Sequence, residues 1–275
     1  MSNTILNVSH GVPFLTFKPL ESIDFIRHAF STKFGGVSTN EFSSMNLGFN
    51  SHETNTNTDS KENVLQNYKI FCKATNIPIN DIVTSKQDHN TFVRHVTEKE
   101  KGIGIFRNHD MMSIDALVTD TKGLALVTYH ADCTPIYFVD TKKKAIGLAH
   151  AGWRGTVGKI AEKTILKMNE CFSTDPNNVI CVIGPTIGSC CYEVNQDVAQ
   201  QIFHIEKTAV KKIGNSKYML DLPLANKTIL EKCHVLSENI FLSGICTKCC
   251  SDILFSHRQT GGKRGTMIGI LELKK

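Results

Sequence analysis

Apolar residues in this chain fall into short runs separated by polar and glycine-bearing turns, a pattern that predicts many strands and a few helices. Residues 1–20 read as one or two edge strands and 26–32 as another. That strand leads to Gly35-Gly36, where a tight turn or a close backbone approach is required. Val64, Leu65, Tyr68 and Phe71 recur near helical spacing within 59–74. Strands are predicted at 82–85, 92–96, 115–119, 179–183, 240–243 and 266–273, and helices at 158–169, 195–204 and 222–236. The first of these helices places Ile160, Thr164, Ile165 and Met168 on one side, and the last has Pro223 in its first turn. Such interleaving predicts an α/β or α+β fold. The polar segment 50–60 is too short to link independent domains, so 1–275 is expected to form a single domain.

The densest pattern lies at 124–155. Two apolar runs, 124–129 and 145–149, have the length of buried strands, and 136–139 is placed to pair with the second as a hairpin. His130, Asp132 and Cys133 follow the first run, while His150, Trp153 and Arg154 follow the second. The predicted hairpin brings Cys133 and His150 to one end. A thiolate beside an imidazole suits either a metal site or a Cys–His nucleophile pair. A buried thiol and a core histidine are the plainer alternative, but a core has no use for so many neighbouring polar side chains.

Composition narrows the picture. A net charge of +5 with scattered basic residues gives no stripe for nucleic acid. No apolar run has membrane-spanning length, and the N-terminus has no signal-peptide pattern. The ten cysteines are then expected to be reduced thiols of a cytoplasmic protein. Cys246-x-x-Cys249 with Cys250 has the look of a structural zinc or redox motif. It occurs once, and the adjacent pair Cys190-Cys191 suits a shared tetrahedral site poorly, so unbridged thiols are expected.

A metal site at the central stretch needs a third ligand, and His89 in the polar turn after strand 82–85 is the best placed. Two histidines and a cysteine suit zinc with one open position, which is a catalytic arrangement. Copper is the alternative ion for such a set. Multicopper chemistry would need many histidines in His-x-His pairs, and this chain has eleven histidines and no such pair. Arg154, Arg258 and Arg264 are candidate anion clamps.

Taken together, HADCTPIYFVD, AHAGWRGTVGKI, FSTKFGGVS, SMNLG, KQDHNTFV, GPTIGSCCYEV and FSHRQTGGKRGTM resemble the YfiH family from about Arg27 onward. Its members were first described as multicopper polyphenol oxidases or laccases, then as zinc-dependent purine nucleoside phosphorylases. The resemblance implies a four-layer α/β/β/α fold with mixed sheets and metal ligands at His89, Cys133 and His150. It implies phosphorolysis of adenosine, inosine, guanosine and methylthioadenosine, with adenosine deamination in some members. Purine nucleoside and phosphate are the expected partners, and the chain is expected to be a monomer or homodimer that binds neither nucleic acid nor membrane.

Cys133, His150, Asp132 and Arg154 are the expected catalytic residues, with Asp132 orienting a ligand imidazole or accepting a proton. Lys33 and Arg258 are the expected substrate-binding residues. Lys33 stands where the family usually has arginine, and Asn90 where a glycine often follows the ligand histidine. Two other readings stay open: a Cys–His hydrolase or deamidase, and an editing factor for cell-wall precursors.

Overall fold

All seven residues of each strand in the central hairpin are buried, because opposite faces of the sheet serve two different cores. Tyr137, Val139, Ile146 and Leu148 enter one core, while Ile136, Phe138, Ala145 and Ala149 enter another. A period of two is how a strand reaches both faces of its sheet. The computed structural model describes residues 3–49 and 58–275.

The chain begins with β1 (Thr4–Ser9), β2 (Val12–Phe17), a single helical turn α1 (Lys18–Glu21) and β3 (Ile26–Ser31). Then come α2 (Lys61–Thr75), β4 (Ile82–Thr84), β5 (Phe92–His95), β6 (Ile114–Thr119), β7 (Leu124–His130), β8 (Thr134–Asp140) and β9 (Ala145–Ala151). The second half holds α3 (Trp153–Val157), α4 (Ile160–Phe172), β10 (Val179–Ile183), β11 (Glu193–Asn195) and α5 (Gln196–Phe203). It closes with β12 (Val210–Gly214), β13 (Lys217–Leu220), α6 (Leu222–Lys232), β14 (Ile240–Leu242), α7 (His257–Thr260) and β15 (Met267–Leu273).

One six-stranded sheet runs β1-β2-β3-β15-β7-β4 and the other β14-β10-β8-β9-β6-β5. Both are mixed: β4 lies parallel to β7, β14 to β10 and β5 to β6, and the other neighbours are antiparallel. Leu124 and Leu126 of β7 meet Tyr137 and Leu148 in the core between the sheets. The Tyr137 hydroxyl crosses that core and donates to the Ala29 carbonyl at 2.8 Å. Ala125 and Val127 turn the other way, against Val64, Tyr68 and Phe71 of α2. On the far side, Ile160, Ile165 and Met168 of α4 and Ile229 and Leu230 of α6 cover the second sheet. The layers are therefore helix, sheet, sheet, helix, as expected.

The strand expectations hold, including the hairpin, in which Pro135 faces His150. The helix predicted at 158–169 begins later, because Lys159 takes a left-handed conformation (φ 60°) that separates α3 from α4. The helix predicted at 222–236 stops at Lys232, with His234 also left-handed (φ 66°). The antiparallel sheet β11-β13-β12, packed on α5, was not expected; its strands are short, and Lys211, Lys212 and Lys217 give β12 and β13 a solvated face. Most of the polar segment 50–60 lies outside the described residues. Among the described residues, no helix is long and apolar enough to cross a membrane.

Candidate metal centre

The register of β5, β6 and β9 brings a buried carboxylate, Asp115 of β6, to the end of the hairpin. His150 Nδ1 donates to Asp115 Oδ1 at 2.8 Å. The amides of Asp88, His89 and Asn90 donate to the same carboxylate at 3.3, 3.2 and 2.9 Å. One side chain thus orients one imidazole and fixes the turn that carries another. His89 sits in that turn with φ 66°, a left-handed conformation that the three amide bonds hold in place. Burial opposes ionisation of Asp115, but His150 and the amides bring its pKa below the ordinary carboxylate value.

Cys133 arrives from the other side. Residues 131–133 carry the chain from β7 in one sheet to β8 in the other, and His130 braces that crossing. Its Nδ1 lies 3.0 Å from the Cys133 carbonyl oxygen and its Nε2 2.8 Å from Thr128 Oγ1. Burial first, and the nearby His150 second, keep His130 neutral, with a pKa well below the ordinary histidine value. Gln87 ties the His89 turn to the end of β7: its amide oxygen accepts from Tyr129 N at 2.6 Å and its Nε2 donates to Tyr129 O at 2.9 Å.

The structure therefore brings His89, Cys133 and His150 together, with one donor atom from each lying within 4.8 Å of the others. Cys133 Sγ stands 3.9 Å from His89 Nε2, and the two imidazole rings are 5.0 Å apart at their centroids. With Nδ1 of His150 committed to Asp115, its Nε2 is the nitrogen left for an ion. This is the carboxylate–histidine pairing that fixes a ligand tautomer. Burial disfavours the Cys133 thiolate, but the positive charge of His150 and the neighbouring His89 bring its pKa down to about 6. Burial likewise disfavours the His150 cation, and the thiolate and Asp115 raise its pKa to about 9.

The donor set fits a single divalent ion of the zinc type: one soft sulfur, two nitrogens and a remaining open direction. Gly152 keeps the space clear. A Cβ there would lie 3.1 Å from Cys133 Sγ, 3.1 Å from His89 Cδ2 and 3.8 Å from His150 Cε1.

The remaining expected residues divide. Arg154 is exposed at the start of α3, its guanidinium 4.4 Å from the centre of the Trp153 ring. Arg258 covers Tyr192 at 5.2 Å and donates through Nη1 to the Glu193 carbonyl at 2.8 Å. Both arginines, together with Cys133 and Asp132, act electrostatically on Tyr192, so they share one neighbourhood with the trio. Lys33 is engaged elsewhere, donating through Nζ to the Ser251 carbonyl at 2.7 Å and lying over Phe34.

The carboxylate that meets the His150 imidazole is Asp115, not Asp132. Asp132 instead accepts from Thr247 Oγ1 at 2.5 Å and from the Arg258 amide at 2.7 Å, with its own backbone at φ 84°. Its place beside Cys133 in sequence suggested the nearer role, but the crossing turns its side chain toward the chain segment 247–258. Asp115, Gly152, Tyr192 and His257 were missed. His257 lies within electrostatic reach of Asp132, Arg258, Arg264 and His89. Arg264 is buried, and Cys133 and Asp132 partly offset the effect of burial, which lowers its pKa to about 10.

Residues 27–274 match the family model described as multi-copper polyphenol oxidoreductase laccase. The chain belongs to this family. Within it, the protein named purine nucleoside phosphorylase YlmD of Bacillus subtilis is 32% identical over 250 residues, covering 90% of this chain and 88% of the relative. Two solved structures superpose on nearly the whole fold, each with a TM-score of 0.89. They are the hypothetical protein YfiH of Bacillus licheniformis, at 30% identity, with 98% of this chain and 99% of that one covered, and YlmD of Geobacillus stearothermophilus, at 29% identity, with 99% and 100% covered. The mixed sheets and four layers are thus the fold of this laccase-like family.

Proposed function

We propose that the chain is a zinc-dependent purine nucleoside phosphorylase that accepts adenosine, inosine, guanosine and methylthioadenosine. The observation that carries this reading is the His89–Cys133–His150 trio, open above Gly152 and flanked by Arg154 and Arg258, in a chain whose close relatives bear that enzyme's name. A divalent ion held by the trio supplies Lewis-acid polarisation and charge stabilisation at the reacting centre. Zinc suits the donors better than a cluster of coppers, since a single thiolate and two imidazoles provide for one ion.

The chain's own groups do the rest. Arg154 and Arg258 present exposed guanidinium groups that pair with a phosphate dianion through two parallel hydrogen bonds. Half-buried Tyr192, with Arg258 lying over its ring, gives the purine an aromatic and cationic neighbour. Asp132, with both carboxylate oxygens accepting hydrogen bonds, sets the position of Arg258 through its amide. A phosphate oxygen then attacks C1′ of the ribose as the bond from C1′ to the base nitrogen breaks; the bonding pair leaves with that nitrogen, which takes up the proton given up by the phosphate, and the products are free base and ribose 1-phosphate. Proximity and charge complementarity supply the rate.

Purified zinc-loaded protein, given inosine and phosphate, should form hypoxanthine and ribose 1-phosphate. Failure to form either product from all of the common purine nucleosides overturns the assignment. With adenosine, release of ammonia reports the accompanying deamination.

One observation favours a second reading. Cys133 with a lowered pKa, His150 with a raised one and Asp115 behind it also make a nucleophile, base and orienting group. A hydrolase or deamidase of this kind would keep its activity after metal stripping and lose it on thiol alkylation. The phosphorylase should lose activity on stripping and regain it with zinc.

A further inference from the structure

Four more cysteines converge beyond the ends of two parallel strands. Past β10 the chain runs through Gly184–Gly188 to Cys190 and Cys191, and past β14 it runs to Cys246 and Cys249. A bridge between Thr186 and Cys246 extends the parallel pairing outward, with Thr186 N donating to Ile245 O and Thr247 N to Thr186 O. Two turns then point the sulfurs inward. Cys191 N and Tyr192 N both donate to Gly188 O at 2.9 Å, and Cys250 N donates to Cys246 O at 3.0 Å.

The four Sγ atoms all lie within 4.8 Å of one another, and Cys249 Sγ is 3.5 Å from both Cys190 Sγ and Cys191 Sγ. A disulfide would need about 2.05 Å. Four zinc–sulfur bonds of about 2.3 Å in a tetrahedron set the sulfurs about 3.8 Å apart. The observed separations belong to the second geometry.

Two backbone amides face one of the sulfurs. Gly188 N donates to Cys246 Sγ at 3.2 Å, and the Cys249 amide points to the same sulfur. Gly188 also leaves room, since a Cβ there would stand 3.2 Å from Cys246 Cβ and 3.4 Å from Cys190 Sγ. Adjacency of Cys190 and Cys191, which counts against a shared site in the sequence, is overcome by the turn at 188–192.

We propose that Cys190, Cys191, Cys246 and Cys249 form a second metal site, a closed tetrathiolate centre for structural zinc, separate from the His89–Cys133–His150 trio. Binding releases the four thiol protons to solvent and leaves a centre of net charge −2, with no change in oxidation state. The ion would staple 188–192 to 246–250, the segments that bring Tyr192 and Thr247 to Arg258 and Asp132. No ligand position remains for substrate, so the role is structural.

Metal analysis of the full chain tests this. Loaded with zinc under reductant and freed of loose metal, the wild type should carry two ions, Cys133→Ser one, and Cys246→Ser/Cys249→Ser one. The proposal falls if Cys133→Ser carries none, or if the double variant carries as many as the wild type. It also falls if the isolated protein holds a Cys190–Cys249 disulfide and refuses the second ion under reductant. Should a variant fail to fold, cadmium-113 NMR of the wild type decides. Two resonances are expected, one at the strongly deshielded position of an all-thiolate site, and absence of that resonance overturns the assignment.

Discussion

A single carboxylate, Asp115, holds both imidazoles of the trio in place, one through its ring nitrogen and the other through the peptide amides around it. Asp115→Asn keeps the shape but replaces one acceptor oxygen with a donor that opposes either the His150 N–H or the amides of the turn. Zinc affinity of the trio should fall about 10–100-fold, as it does when the partner of a ligating histidine is lost. Competition with a chromophoric chelator measures it, and unchanged affinity would deny Asp115 this role. Gly152 makes the complementary case. Its backbone (φ −68°, ψ 176°) is open to any residue, so alanine there meets no strain, only the atoms of the trio. Gly152→Ala should therefore weaken metal binding and nucleoside turnover while the melting temperature of the metal-free protein stays level or rises slightly, since losing a glycine restricts the unfolded chain. A collapse of that metal-free melting temperature would show that the glycine serves the fold instead.

At the scale of elements, α2 reaches beyond its apolar face. Asn67, fully buried, has the two N–H groups of Nδ2 shared among Ser38 Oγ, Ser44 O and Asn46 O at 2.8, 3.2 and 2.8 Å, and its Oδ1 accepts from Val37 N at 2.8 Å. The loop wraps this amide so closely that a Cβ on Gly36 would lie 2.5 Å from Asn67 Oδ1. Asn67→Leu strands several buried groups at once and should cost roughly 3 kcal/mol in urea unfolding. Zinc stoichiometry should stay the same, because the trio stands on other elements. Legibility followed the same division between local and distant signals. Val64, Tyr68 and Phe71 announce α2 by spacing alone, and the hairpin that sets Cys133 beside His150 is written in the apolar stretches 136–139 and 145–149 and in the lysine-rich turn 141–144 between them. Asn67 and Asp115 are silent in the sequence because each lies within an apolar pattern, and only loop closure or strand pairing reveals what it binds. Asp115 is 26 residues from His89 and 35 from His150, and the pairing of β6 with β5 and β9 closes that gap. The break before α4 was hidden for another reason: Lys159 takes a left-handed conformation that its residue type does not advertise.

For the whole molecule, the burial that builds four cores also sets the response to acid. His28, between the sheets, accepts from Phe17 N at 2.8 Å through Nε2 and stacks on the Phe17 ring. Burial lowers its pKa to about 4, against opposing pulls from Glu21 and the Phe17 backbone. His130 is displaced in the same direction, also by burial. The sign follows from proton counting: below the ordinary histidine pKa of about 6.5, the unfolded chain binds protons that the folded chain refuses, so stability falls as pH falls. For His28 alone that loss runs from about pH 6.5 to about pH 4 and amounts to roughly 3 kcal/mol, at about 1.4 kcal/mol per pH unit. Glu272, whose pKa burial raises, acts with the opposite sign, and metal bound at the proposed sites would bring its own acid dependence. Comparison with His28→Gln, which can still accept from Phe17 N, removes both, because they are common to the two proteins. Urea unfolding at intervals between pH 7 and pH 4.5 should show a shallower loss of stability in His28→Gln, with the two curves converging toward acid. Parallel curves would mean that His28 is protonated in the fold and that its burial has no part in the acid response.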